Sequence, residues 1–319
     1  MKMQGTSGAE HSMIGVGGFR KLAVVTALFA YLQIALGGVV RVSGSGLGCP
    51  DWPLCHGRPY PPADPHAIIE YSHRAVGSVT GVLIIATVVM AWVVFRNSRP
   101  LVAWLATASL IGVVGEGILG GVVVANELQS WLVVVHLGLA MIILGFLVAT
   151  AVMAGPPSAG VSDRSLRRLA AVTAAATYVL LLTGSTVVGS NADEACHAWP
   201  LCGGGLTPDF SGANAFTMLH RGAVLVIGAL IVYVAIRAIR RWGMRSPVGL
   251  SAIVALVVLA LQVAVGAAAA LTDGALFNGL HVAIATLVWS AVLTFALVTL
   301  ARTDHSAELS RLAVERGSA

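Results

Sequence analysis

Of the 319 residues, 57% are hydrophobic and only 10% charged, and the mean hydropathy is +0.87; a soluble globular domain carries roughly 25% charged residues, so that class is excluded. The net charge of +5 does not describe a nucleic-acid surface, because the arginines flank apolar stretches and form no single soluble patch. A β-barrel is excluded too, since its alternation of apolar and polar positions is absent.

Residues 1–18 read as a cytoplasmic tail, and the first apolar span covers 19–40. That span is too long for a signal-peptide core and lacks a small-residue cleavage motif, so it is expected as a helix of the mature chain. Seven further spans follow at 69–95, 101–124, 131–153, 166–189, 215–239, 247–271 and 277–300. Each is long enough for a helix to cross a hydrocarbon core of roughly 30 Å, and none has a polar face.

Basic residues gather at one set of span ends: Arg20 and Lys21, Arg96 and Arg99, Arg164, Arg167 and Arg168, Arg237, Arg240, Arg241 and Arg245, then Arg302, Arg311 and Arg316. The opposite ends carry only Arg41, Arg58, Arg74 and Arg221. This asymmetry predicts a multi-pass protein of the cell membrane with both termini cytoplasmic and the cysteine loops on the outer face.

After the first span comes Cys49-Pro50-Asp51-Trp52-Pro53-Leu54-Cys55-His56-Gly57, and the next span opens with Glu70, His73 and Arg74. The third span contains Glu116, whose local pattern aligns with Gln33 and Gln262, which predicts a protonated or hydrogen-bonded group in helix packing. The glycines of Leu36-Gly37-Gly38, Leu119-Gly120-Gly121 and Val265-Gly266-Ala267 allow close approach of a helix or of a flat macrocycle. The fourth span carries His136, and a Gly- and Pro-rich linker, 156–165, follows.

The chain then repeats itself. Cys196-His197-Ala198-Trp199-Pro200-Leu201-Cys202-Gly203-Gly204 matches the first loop, and His73-Arg74 falls on His220-Arg221 with the same offset, 220 − 73 = 147. His136 falls on His281 with an offset of 281 − 136 = 145. A repeat of four spans keeps its orientation. The expected fold is therefore an all-α integral membrane protein of eight transmembrane helices, arranged as two parallel-repeat four-helix bundles, 19–155 and 166–300, with a cytoplasmic tail at 301–319.

His73, His136, His220 and His281 lie at one depth, near the outer ends of the even-numbered spans. Ionisable residues within a membrane are costly and point to function. A single histidine could simply pack against a carbonyl or a serine, but two per repeat at one depth suit a heme held between two imidazoles. The pairs are His73 with His136 and His220 with His281; zinc would want a third or fourth ligand. His11, His56, His66, His197 and His305 fall in tails or loops and read as solvated.

Arg74 and Arg221 suit heme propionates and equally suit snorkelling to the headgroups. Glu70 has Thr217 as its counterpart, so one half has a carboxylate that the other lacks. It could serve as a base, a proton relay or a stabiliser of a developing cation, which would place chemistry in the first half; a helix-start carboxylate favoured by the dipole is the alternative. The outer compartment permits disulfides, with Cys49–Cys55 and Cys196–Cys202 as stapling pairs; a redox role for the first pair stays open.

Taken in order, Gly48-Cys49-Pro50-Asp51-Trp52-Pro53-Leu54-Cys55, Glu70-x-x-His73-Arg74, His136-Leu137-Gly138, Leu219-His220-Arg221 and Asn278-Gly279-Leu280-His281 resemble the bacterial heme A synthases, in the subgroup with paired loop cysteines. The resemblance runs from about Phe29 to Leu300. It implies oxidation of a methyl group of heme O to a formyl group by successive hydroxylations, with heme A as product for terminal oxidases. It implies that Glu70, His73 and His136 serve the substrate heme in the first half, and that His220 and His281 hold a resident heme b in the second. A heme O synthase, the terminal oxidase assembly machinery and an unidentified electron donor or acceptor are the implied partners, besides membrane lipid; a homo-oligomer is left open.

Glu116 departs from the amide more usual in that helix. Rival readings are a di-heme cytochrome b that passes electrons without substrate chemistry and a quinone-linked thiol oxidase working through the outer cysteines. A transporter of parallel repeats would place its polar groups near the midplane, whereas here they lie near one surface.

Overall fold

The structure is a computed structural model that describes residues 6–156, 161–190, 192, 195–204, 206–272 and 274–300, with side chains from Gly15 onward. The expected C-terminal tail at 301–319, with Arg302, His305, Arg311 and Arg316, lies outside the described residues, as do the first five residues, the side chain of His11 and most of the linker glycines and prolines.

Eight helices form among the described residues: α1 Thr6–Val42, α2 Pro65–Phe95, α3 Pro100–Ala125, α4 Ser130–Met153, α5 Arg164–Gly189, α6 Asn214–Trp242, α7 Pro247–Thr272 and α8 Ala275–Leu300. All eight are long and apolar enough to cross a membrane. Helix α1 begins at Thr6, well before the span expected at 19–40, so much of the expected tail at 1–18 is helical. Hydropathy marks the part of a helix that lipid can solvate, while the backbone ladder continues into polar sequence until something breaks it.

Local chemistry explains where several helices start. Proline opens α2, α3 and α7, where its missing N–H is no loss. Asp64 caps α2 by accepting the Ala67 N–H at 2.9 Å, and Asp163 caps α5 by accepting that of Leu166 at 3.1 Å. At the end of α4, Arg99 donates to the carbonyls of Met153 and Gly155 at 3.0 and 2.8 Å, covering groups a helix C-terminus leaves unpaired.

Helices α1 to α4 close a ring in which each packs on its sequence neighbour and α1 meets α4; α5 to α8 repeat that ring. The rings join through α1, α4, α5 and α8. At the seam Trp289 donates its indole N–H to the Met141 carbonyl at 2.9 Å, and Tyr178 donates to that of Gly138 at 3.1 Å. Arg41 on α1 donates to the carbonyl of Val188, its own counterpart in the repeat (188 − 41 = 147), so the pseudo-twofold axis passes between them.

Clusters of fully buried side chains lie toward the arginine-rich end. Phe19 and Phe95 meet edge to face at 4.9 Å among Ala23, Ala91, Val102 and Ala106. Leu166, Ile231, Val234, Val292 and Phe295 fill the corresponding space in the second ring, and Ile84, Met141, Leu144, Leu147 and Trp289 knit the middle. Toward the cysteine loops the helices part around a cavity.

Candidate functional site

A cavity of about 2050 Å³ is lined by residues of both rings and contains all four histidines: His73 on α2, His136 on α4, His220 on α6 and His281 on α8. His73 and His136 belong to the first ring of helices and His220 and His281 to the second.

Each ring is set by the helix preceding its own, through one polar residue and one glycine. Gln33 Nε2 on α1 lies 3.2 Å from His73 Nε2. Glu116 Oε1 on α3 lies 3.0 Å from His136 Nδ1. Thr183 Oγ1 on α5 is 2.9 Å from His220 Nδ1, and Gln262 Nε2 on α7 is 3.1 and 3.2 Å from the two ring nitrogens of His281. The Glu116 contact is an approach at ion-pair distance; the ring N–H direction passes beside the carboxylate oxygen, so it is not an aligned hydrogen bond.

The glycines are required by closeness. A Cβ at Gly266 would stand 2.8 Å from the Cε1 atom of His281, nearer than side chains pack, and at Gly37 or Gly184 it would stand a tight 3.1 or 3.0 Å from that of the facing histidine, whereas at Gly120 the distance would be an ordinary 3.4 Å.

The cavity is built for a polar occupant at its rings. Among the described residues seven buried side-chain polar atoms lack a hydrogen-bond partner, and five of them sit here: Gln33 Oε1, His73 Nδ1, Glu116 Oε2, His136 Nδ1 and Gln262 Oε1. Orphaned groups of this kind cost stability unless something binds them. Imidazoles over glycine-thinned helix faces, in a mostly apolar cavity, are a donor set that would suit heme iron. No group of three or more His, Cys, Asp or Glu arranged for a bare metal ion occurs among the described residues.

Above the rings the two cysteine loops are closed by the Cys49–Cys55 and Cys196–Cys202 disulfides. Arg74 spends four of its N–H groups there: on the carbonyls of Asp51 and Leu54, both at 2.6 Å, on that of Cys49 at 2.7 Å, and on the Glu70 carboxylate. Arg221 reaches the carbonyls of Ala198 and Pro200 at 2.7 and 3.0 Å. Both guanidiniums thus hold loop backbone, a contact the sequence did not mark, and both also line the cavity.

Glu70 is buried. One oxygen pairs with Arg74 and the other accepts the Cys49 N–H at 2.8 Å, while the residue also lines the cavity. Its counterpart Thr217 donates to the Ala192 carbonyl at 3.1 Å. Asp51 closes the tip of the first loop by accepting the N–H groups of His56 and Gly57 at 2.5 and 2.7 Å. The Gly57 N–H, helped by that of His56, holds the Asp51 carboxyl below the ordinary carboxylate range.

A family model of cytochrome oxidase assembly proteins, COX15-CtaA, matches residues 20–293, from α1 into α8. The chain belongs to this family. It is similar to proteins named heme A synthase: 29% identical to that of Shouchella clausii over 81% of this chain and 88% of that protein. The identity is 28% with that of Alkalihalophilus pseudofirmus, over 89% and 97%, and 31% with that of Symbiobacterium thermophilum, over 78% and 84%.

In this family member the four histidines, Glu70, Arg74 and Arg221 all line the one cavity. His56 and His66 are exposed and bonded locally, His56 Nε2 to the Gly48 carbonyl and His66 Nδ1 to Ser45, each at 3.0 Å. His197 is likewise exposed and also borders the cavity. Thr183, Gly184 and the loop role of Asp51 escaped the sequence reading. The offset of 147 gives Gly184 as the counterpart of Gly37, a signal that was there to find; it gives Leu180, not Thr183, as the counterpart of Gln33.

Proposed function

We infer that this protein is a heme A synthase, an oxidoreductase that takes heme O as substrate and oxidises one porphyrin methyl group to a formyl group by successive hydroxylations. The observation that carries the reading is the four-histidine cavity, two histidines from each ring of helices, whose ring nitrogens and polar neighbours include the buried atoms left without partners.

In this reading His73 and His136 hold the substrate heme and His220 and His281 hold a resident heme b, which supplies one-electron redox chemistry when bound. Glu70 presents a carboxylate to the cavity on the substrate side, fixed between the Arg74 guanidinium and the Cys49 N–H. It can hold or relay a proton without leaving its place. Arg74 and Arg221 carry the loops that cover the hemes and keep water from them. The asymmetry of the arginines supports cytoplasmic termini and outward cysteine loops. Heme O would come from a heme O synthase, heme A would pass to terminal oxidase assembly, and an electron acceptor is required for the oxidation.

Two features favour this reading over its rivals. A cytochrome that only passes electrons gives no reason for a carboxylate lining one site and a threonine in its place at the other. A thiol oxidase needs a disulfide that a partner's thiolate can reach, and Cys49 and Cys55 are both fully buried.

The test is mass analysis of hemes extracted from membranes that express this chain with a heme O supply, comparing wild type with Glu70→Gln. Heme A from the wild type, sharply reduced in the variant while heme b is retained, is the expected result. Heme b alone in both proteins would establish the electron-transfer cytochrome instead.

A further inference from the structure

We propose that Glu116 is a positioning residue for the first-half site: its carboxylate fixes the tautomer of His136 and makes that imidazole the strongest electron donor of the four. The inference rests on the reading of His136 as a heme ligand and goes beyond it, since it makes the two sites unequal through a residue that is not itself an iron ligand.

The argument begins with what each histidine faces. Gln33, Thr183 and Gln262 are neutral, and each can both donate and accept, so none of them dictates which ring nitrogen carries the proton. An ionised carboxylate only accepts. With Glu116 Oε1 3.0 Å from Nδ1, the proton belongs on Nδ1 and the lone pair on Nε2 is free for iron.

An anion behind the distal nitrogen of a ligating imidazole also raises its basicity, as carboxylate–histidine pairs do at other metal sites. Glu116 has no competing cation: among the described residues the ion pairs of lysine and arginine are Arg74 with Glu70 and Arg237 with Asp163, and Glu116 Oε2 lacks any hydrogen-bond partner. Among the described residues its ion-pair contact is His136. The contact is close but not aligned, and a modest turn of the ring would align it; Gly120 leaves room, because even an added Cβ would clear the ring at 3.4 Å.

The same helix position elsewhere provides the control. Gln33, Glu116 and Gln262 each stand four residues before the glycine that faces their histidine, Gly37, Gly120 and Gly266. The carboxylate can therefore be removed at one site and installed at another by changing one atom type.

The experiment is redox titration of the full-length protein loaded with hemin, comparing wild type, Glu116→Gln and Gln262→Glu, with heme content measured alongside. Removing the carboxylate should raise the midpoint potential of one heme by about 59 mV, a tenfold change in its ferric-to-ferrous ratio for a one-electron couple. Installing it at 262 should lower the potential of the other heme by a similar amount. Both hemes present in Glu116→Gln with neither potential moved would overturn the proposal. Should Glu116→Gln lose a heme, Gln262→Glu decides alone: a lowered potential supports the proposal, and an unchanged one overturns it. A wild-type protein that takes up no heme would instead overturn the heme reading on which all of this stands.

Discussion

The two halves solve one structural problem with different residues. Both must hold a disulfide loop over a pair of histidines, and both use an arginine one residue after the first histidine to grip the carbonyl at Asp51 or its counterpart Ala198. The first half then adds charge: Glu70 pairs with Arg74 and receives the Cys49 N–H, and Asp51 ties the loop tip. The second half relies on neutral contacts, with Thr217 on the Ala192 carbonyl and Gly203 and Gly204 where the first has His56 and Gly57. A duplicated scaffold has kept its geometry and changed its electrostatics on one side, the side proposed to hold substrate.

The largest effects should come from the rings themselves. His136→Ala should remove one heme of the pair and abolish heme A formation, while His281→Ala should remove the other, both read as heme per protein by hemochrome absorbance. Loss of both hemes from either variant would show that the sites are not separable.

Next is the charged clamp. Glu70→Ala leaves a mostly buried guanidinium and a buried N–H without their partner, a loss of about 3 kcal/mol for breaking such a pair. Thr217→Val removes one neutral hydrogen bond, worth about 1 kcal/mol. Thermal unfolding in detergent should rank them in that order, and equal shifts would erase the contrast between the halves.

The glycines give a finer comparison. Gly266→Ala forces His281 to move and should cost about 1–3 kcal/mol as an overpacked contact, whereas Gly120→Ala should be nearly silent. Heme retention on heating would separate them.

The smallest effect is local and depends on pH. Because the Asp51 carboxyl titrates below its unfolded value near 3.9, its hold on the first loop is complete above that pH and is lost as pH falls through the lower folded value. Reduction of Cys49–Cys55 by a phosphine should therefore accelerate below about pH 4, while that of Cys196–Cys202, whose loop has Ala198 at this position, should not follow the same step.

Much of this architecture was legible in the sequence because a membrane imposes it. Spans, repeat and histidine depth follow from apolar length and from the price of an ionisable group in lipid. The start of α1 was not legible, since hydropathy is silent about helix that extends beyond the bilayer. Nor was the work of Arg74 and Arg221, because the groups they grip are backbone carbonyls, which every residue has and no sequence pattern marks. Thr183 was hidden for a geometric reason: it reaches His220 from a position adjacent to Gly184, where Gln33 and Gln262 reach theirs from a full turn before Gly37 and Gly266.

The contact between Arg41 and Val188 reaches further back than the chemistry. A residue can touch its own counterpart only on a symmetry axis, so the seam between the rings has the form of an isologous dimer interface now contained in one polypeptide. Before such a fusion, any change on that surface would have appeared twice and had to fit itself. Afterwards each side could change alone, and the seam records it: α8 places Trp289 where the offset of 145 puts Leu144 on α4 (289 − 144 = 145), and the indole fills the space beside Gly145. Covalent linkage thus frees the two halves from identity, a condition for a carboxylate at position 70 to have a threonine at its counterpart 217.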